Sequence, residues 1–196
     1  MIELESEERV AIFIDGSNQY HILKNMFPDR KISSFDFRRF IQLLVGKRKH
    51  VRTYYYGVPL DISYNKRTYM KQQRFFDMLQ RIPDFNLILC RMQKVKMEGK
   101  TVYQVKEDDI HLAVDMVKLA YNDVYDTAIL VSSDGDFVPA IIAVKEKGKK
   151  IENIGFENKF SYHLRQKSDR FRKFTQKEVE QFYNEVKIEE KDEKEG

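Results

Sequence analysis

The chain has 196 residues, 42% of them hydrophobic and 34% charged, with a net charge of +4: one compact domain's worth of material, too apolar to be disordered throughout. A single cysteine, Cys90, excludes an internal disulfide framework and a Cys-rich zinc site. No stretch approaches the roughly 18 apolar residues of a membrane span, and Met1 to Glu8 is acidic without the apolar core of a secretion signal, so a cytoplasmic protein is expected.

Val10 to Ile14 is an apolar run closed by Asp15-Gly16, the pattern of a buried strand and a turn. Ser17 or Asn18 is positioned to cap a helix that runs to about Phe27, before Pro28. Phe37, Phe40, Ile41, Leu44 and Val45 have amphipathic-helix spacing within 35–45. Val51 to Tyr56 is β-branched and aromatic, a second strand ended by Gly57 and Pro59. A long helix is predicted over 64–82, with Phe75, Phe76, Leu79 and Ile82 on its apolar face and Lys66, Arg67, Lys71 and Arg74 on a basic one. Phe85 to Cys90 reads as a third strand.

Alternating residues around Glu98-Gly99 predict a β-hairpin carrying Lys94, Lys96 and Lys100. Helix is predicted over 108–120, strand over 127–131, helix over 137–147 and strand over 150–154. Thr175-Gln176-Lys177-Glu178 has the form of a capping box for a last helix reaching about Val186, and the final residues read as a charged tail. Strands alternating with helices imply an α/β fold with a mostly parallel sheet of about five strands and helices on both faces, plus the hairpin insertion.

The net charge conceals an uneven distribution. Residues 1–9 carry −3 and residues 178–196 carry −5, so 10–177 hold 31 Lys and Arg against 19 Asp and Glu, or +12. A body of that charge attracts a polyanion, most commonly nucleic acid. Within it, acids fall where three segments reach one end of the sheet. Asp15 follows the first strand, Asp134 and Asp136 follow the fourth, and Asp108, Asp109 and Asp115 lie on the helix after the hairpin. Open α/β sheets gather functional groups beyond the carboxyl ends of their strands. Crowded carboxylates repel one another unless a cation joins them. Oxygen donors without convergent His or Cys favour a hard ion, Mg²⁺ or Mn²⁺. Phosphoryl transfer uses such a site. Each acid alone also has a plain structural role, as a turn residue or a helix cap.

Three segments resemble the motifs of the NYN domains, the LabA-like branch of the PIN-like nuclease superfamily. They are Val10 to Asn18, Lys106 to Asp115, and Ile129 to Phe137. Gly148, the strand from Ile151 to Gly155, and Ser168 to Phe171 also fit, so the resemblance covers about 9–174, with 175–196 forming a C-terminal helix and acidic tail. It implies a three-layer α/β/α PIN-like sandwich and a metal-dependent endoribonuclease. Carried over by motif, Asp15, Asp109 and Asp134 are the principal metal-site acids, Asp115 and Asp136 complete or support them, and Asn18 is a polar helper. Glu107 stands where the family's second motif has Gly, and Asp108 beside Asp109 leaves open which of the two is the ligand.

The expected partner is RNA, single-stranded or structured, held by Lys66, Arg67, Lys71, Arg74, Lys94, Lys96 and Lys106. Members of the superfamily often pair, so a homodimer is a further expectation that no sequence feature assigns to a surface. The alternative is a PIN-like module that binds RNA or protein without cutting. A haloacid-dehalogenase-like phosphatase ranks last, because Ser17 occupies the place of the second Asp in that family's Asp-x-Asp motif. Tyr54, Tyr55 and Tyr56 offer either a base-stacking surface or core packing. Cys90 reads as a buried strand residue without a His partner.

Overall fold

The structure is a computed structural model that describes residues 7–63, 65–97, 100–105, 107–157 and 159–183. In chain order its elements are β1 (Arg9–Asp15), α1 (Gly16–Met26), a 3₁₀ turn (Ile32–Ser34), α2 (Phe37–Val45), β2 (Lys49–Gly57), α3 (Lys66–Gln80) and β3 (Phe85–Leu89). The hairpin β4 (Met92–Met97) and β5 (Lys100–Val105) follows. Then come α4 (Asp108–Tyr121), β6 (Thr127–Val131), a 3₁₀ turn (Gly135–Phe137), α5 (Val138–Glu146), β7 (Lys150–Phe156), α6 (Tyr162–Lys167), β8 (Arg170–Phe174) and α7 (Gln176–Glu180). The last helix ends at Glu180, short of the predicted Val186, because 181–183 turn back and Tyr183 bridges to Phe35; residues 184–196, with the acidic tail, lie outside the described residues.

Six strands form one sheet in the order β3-β2-β1-β6-β7-β8, and every neighbouring pair is parallel. The strand order reverses direction between β1 and β6, and in such a sheet that switch point leaves a crevice at the carboxyl ends. The sheet has six strands where the sequence pattern predicts about five. The sixth, β8, reads Arg-Phe-Arg-Lys-Phe. As an edge strand it needs no continuous apolar run, and its charges keep the edge from pairing with another chain.

Side chains alternate between the two faces of β1. Val10, Ile12 and Ile14 face an aromatic layer, while Ala11 and Phe13 face an aliphatic one. The aromatic layer lies under α1, α2, α3 and α7, where Phe35, Phe37, Phe40, Phe174 and Phe182 meet at ring-centroid distances of 4.9–6.1 Å. The aliphatic layer lies under α4, α5 and α6 and contains Leu112, Met116, Ile141, Val144 and Leu164. Tyr55 is in the aromatic core, Tyr56 in the other, and Tyr54 stacks on Phe13 at 5.2 Å. Core packing, not base stacking, is therefore the role of this tyrosine run.

The first turn of α1 is held against β2. A Cβ on Gly16 would meet the Tyr56 carbonyl oxygen at 2.4 Å, so no larger residue fits there. The cap of α1 is Asp15 itself, whose Oδ1 accepts the Asn18 N–H at 2.9 Å, rather than Ser17 or Asn18. The capping box at Thr175 and Glu178 forms as its sequence predicts.

Candidate metal centre

Asp15 is the last residue of β1, and its side chain continues the Ala11 and Phe13 face toward α4. It is only 4% exposed. The hairpin returns the chain so that α4 begins beside it, with Asp108 and Asp109 in the first helical turn. One oxygen from each of Asp15, Asp108 and Asp109 lies within 4.8 Å of the other two. Both neighbouring aspartates of the second motif thus join the group, and Asp108 is the more buried of the pair at 7% exposure.

Hydroxyls and an amide brace these acids. Ser132 Oγ donates to Asp15 Oδ2 at 2.9 Å and accepts the Asp134 N–H at 3.1 Å. Ser17 Oγ donates to Asp108 Oδ2 at 3.0 Å. Asn18 Oδ1 accepts the N–H and Oγ–H of Ser133 at 3.2 and 3.0 Å, joining α1 to the loop after β6. Asn18 is therefore a strut between the two segments that carry Asp15 and Asp134. Asp134 Oδ1 accepts the Asp136 N–H at 3.0 Å and starts the 3₁₀ turn.

The electrostatics match this crowding. Burial pushes Asp15 up to about 7, opposed by its hydrogen bonds from Asn18 and Ser132 and reinforced by Asp109 and Asp108. Partial desolvation, then the charges of Asp108, Asp134 and Asp136, raise Asp109 to about 6. Asp134 and Asp136 are not among the three carboxylates within 4.8 Å of one another; their charges act on Asp109, so they form an acidic rim to the group. Among the described residues no Lys, Arg or His lies within ion-pair distance of any of these five carboxylates. An all-oxygen donor set of mutually repelling acids, Asp15 and Asp108 buried and Asp109 exposed, fits a hard divalent cation.

Asp115 is not in the group. It lies seven residues along α4 from Asp108, about 10 Å by helical rise, and its Oδ2 accepts the Tyr56 Oη–H at 3.0 Å. Cys90 is buried just beyond β3, and burial beside Asp108 and Glu107 pushes its thiol up to about 11, the opposite of an activated nucleophile. Lys66, Arg67, Lys71 and Arg74 share an exposed face of α3 with Met70. The start of α3 lies at the same end of the sheet as the acids, because it follows β2. Lys94 and Lys96 lie on β4, and Lys106 is outside the described residues.

Two further residues shape the site without a motif to announce them. Asn153, fully buried in β7, donates its Nδ2 to the carbonyls of Leu130 and Ser132 at 3.2 and 3.0 Å, holding the end of β6 in place. Its one signal in the sequence is an amide between Ile151 and Ile154 in a strand. Glu107, at the position where the resembled motif has Gly, takes a φ of +85°, a left-handed conformation that favours glycine.

Comparison with known proteins shows the family and the fold. A model of the NYN domain family matches residues 9–175. The chain is 28% identical over 170 residues to the low amplitude and bright protein LabA of Synechococcus elongatus, covering 83% of this chain and 82% of LabA. It is 44% identical over 61 residues to the uncharacterized protein MJ0482 of Methanocaldococcus jannaschii; that match spans 31% of this chain and a quarter of the archaeal protein's length. Among solved structures, VPA0982 of Vibrio parahaemolyticus, a protein of unknown function, superposes with a TM-score of 0.67 at 21% identity, covering 88% of this chain and 96% of that one.

Proposed function

The chain belongs to the NYN domain family of nuclease-like domains, and from that premise we propose that it is a metal-dependent endoribonuclease. One observation carries the proposal: three carboxylates within 4.8 Å of one another at the sheet's switch point, with no cation at ion-pair distance among the described residues. Asp15, Asp108 and Asp109 would hold Mg²⁺ or Mn²⁺, and Asp134 and Asp136 line the rim. Bound there, the cation supplies an acidified water and neutralises charge on phosphate oxygens.

The chain's own residues bind and orient. Ser132 and the Asn18 N–H hold Asp15, Ser17 holds Asp108, and Asn18 and Asn153 hold the loop that presents Asp134. Lys66, Arg67, Lys71 and Arg74 supply positive charge for flanking phosphates at the same end of the sheet. The basic body keeps the polyanion close, while the acidic pocket admits it only in company with a cation.

The test is incubation of the protein with RNA and single-stranded DNA in Mg²⁺, Mn²⁺ or EDTA, beside Asp15→Asn and Asp134→Asn. The proposal expects cleavage of RNA that needs metal and disappears in Asp15→Asn with the fold intact. Cleavage by Asp15→Asn at the wild-type rate would sink it. Tight RNA binding without cleavage under every condition would favour the non-catalytic module instead.

A further inference from the structure

We propose that the β7–α6 segment is a base-stacking subsite for single-stranded RNA, flanking the acid cluster on the side away from α3. This rests on the nuclease reading and assigns the form of the substrate. The chain leaves β7 at Phe156 on the same end of the sheet as Asp15, one strand over from β6. Ser161 caps α6, and its Oγ lies 3.4 Å from the point a Cβ on Gly135 would occupy. Gly135 sits between Asp134 and Asp136, so this segment adjoins the acidic rim.

Two aromatic side chains open to solvent there. Tyr162 is 60% exposed and Phe160 is 38% exposed. Phe160 is seated on Phe171 of β8 at 5.6 Å between centroids, and a Cβ on Gly155 would meet its Cβ at 2.6 Å. That bed holds the ring at the surface instead of letting it fold into the core. Lys173 Nζ lies 5.5 Å from the Phe160 centroid, and the Arg165 guanidinium lies 5.6 Å from the Phe171 centroid. Among the described residues neither cation has a carboxylate within ion-pair distance. Exposed rings beside free cations suit a strand that offers base faces and phosphates together. A duplex hides its base faces in its own stack, so the matching ligand is single-stranded.

The α3 patch is different in kind. Among the described residues it offers Lys66, Arg67, Lys71 and Arg74 with no fully exposed aromatic ring among them, Tyr69 being half-buried, the composition of a phosphate track. The two flanks of the acid cluster thus divide the work, with backbone charge on one side and base faces on the other.

Fluorescence anisotropy in EDTA tests this without cleavage, using a labelled short oligouridylate and an abasic oligomer with the same number of phosphates. Wild type is expected to bind the base-bearing strand about tenfold tighter than the abasic one. Tyr162→Ala is expected to remove that margin while leaving abasic affinity unchanged, and Tyr162→Phe to keep it. Phe160→Ala should act in the same direction, with a thermal melt to establish that β8 packing survives. Equal affinity of wild type for both strands, or unchanged oligouridylate affinity in Tyr162→Ala, overturns the subsite and leaves the patch to a protein partner. If wild type still cleaves RNA with Mn²⁺ in that case, the nuclease reading stands alone. If wild type neither binds nor cleaves the oligomer, both fall.

Discussion

The two ends of the central sheet carry the same residue types in opposite electrostatic states. At the amino ends of the strands, acids are matched. Arg9 forms a two-pronged pair with Asp126 at 2.8 and 3.1 Å, Arg48 does the same with Glu152 at 2.8 and 3.1 Å, and Lys145 meets Asp169 at 2.7 Å. The Arg9 guanidinium holds Asp126 well below the usual carboxylate range. At the carboxyl ends, Asp15, Asp108 and Asp109 crowd together with Asp134 and Asp136 beside Asp109, and Asp15 and Asp109 are pushed up. The difference separates charge that stabilises the fold from charge held against the fold's interest. Acids crowded in this way are what a bound divalent cation would relieve, and that is the basis of the proposed metal site.

The largest test of that contrast is chemical. Asp15→Asn should lower metal-dependent RNA cleavage by about 100-fold or more, while Asp126→Asn leaves the cleavage rate unchanged, both read by gel assay. A rate lost equally in both variants would erase the distinction between the two ends.

The next test is pH. Asp15 titrates near 7 in the folded chain and near its ordinary value of 3.8 when unfolded. Its protonated form is favoured by folding, so without metal its contribution to stability declines as pH rises from about 4 and is fully lost above about 7. Asp126 has the reverse sign: its contribution is present above the ordinary carboxylate range and is lost as pH falls through and below it. Thermal melts should therefore show Asp15→Asn, in EDTA, stabilised by about 2–4 °C near pH 8 and not near pH 4. The Mn²⁺-induced shift in wild type should be larger near pH 8 than near pH 5.5, because the ligand acids must release protons. A Mn²⁺ shift that grows on acidification would contradict the assignment of these acids.

A smaller effect is expected at the amino end. Asp126→Asn should destabilise by about 1 kcal/mol, the scale of a solvent-screened pair, and added salt should shrink the difference in urea unfolding. The smallest concerns the backbone beside the metal centre. Glu107→Gly should stabilise by about 0.5 kcal/mol, since relief of the left-handed strain outweighs glycine's entropic cost. A loss of stability there would mean that the Glu107 side chain contributes more than its backbone strain costs.

Much of the fold is legible along the chain because its signals are local. β1 is a continuous apolar run, α2 carries its stripe at helical spacing, and Thr175 and Glu178 announce their capping box. β8 escapes because an edge strand in contact with solvent on one side is free to be charged. The six-residue α6 escapes because so short a helix has no periodicity to read. In the site, Asp15 and the acids after β6 are legible because a strand end fixes where they project. Asp108 and Asp109 are harder to separate, since the start of a helix turns neighbouring residues by about 100° and only the docking of α4 decides which reach Asp15. Both do.

A parallel α/β chain with three acidic strand-end or helix-start segments in a basic body is readable along the chain, because strand period, turn residues and charge are properties of neighbouring residues. The membership of the pocket comes from packing. Packing drew Asp108 in beside Asp15, gave Asp115 to Tyr56, made Asn18 and Asn153 struts for the β6 loop, and set Ser161 against Gly135 between Asp134 and Asp136. Those outcomes depend on how α4 and α6 pack onto one sheet, and packing brings together residues that are far apart in sequence, where no local pattern records the meeting.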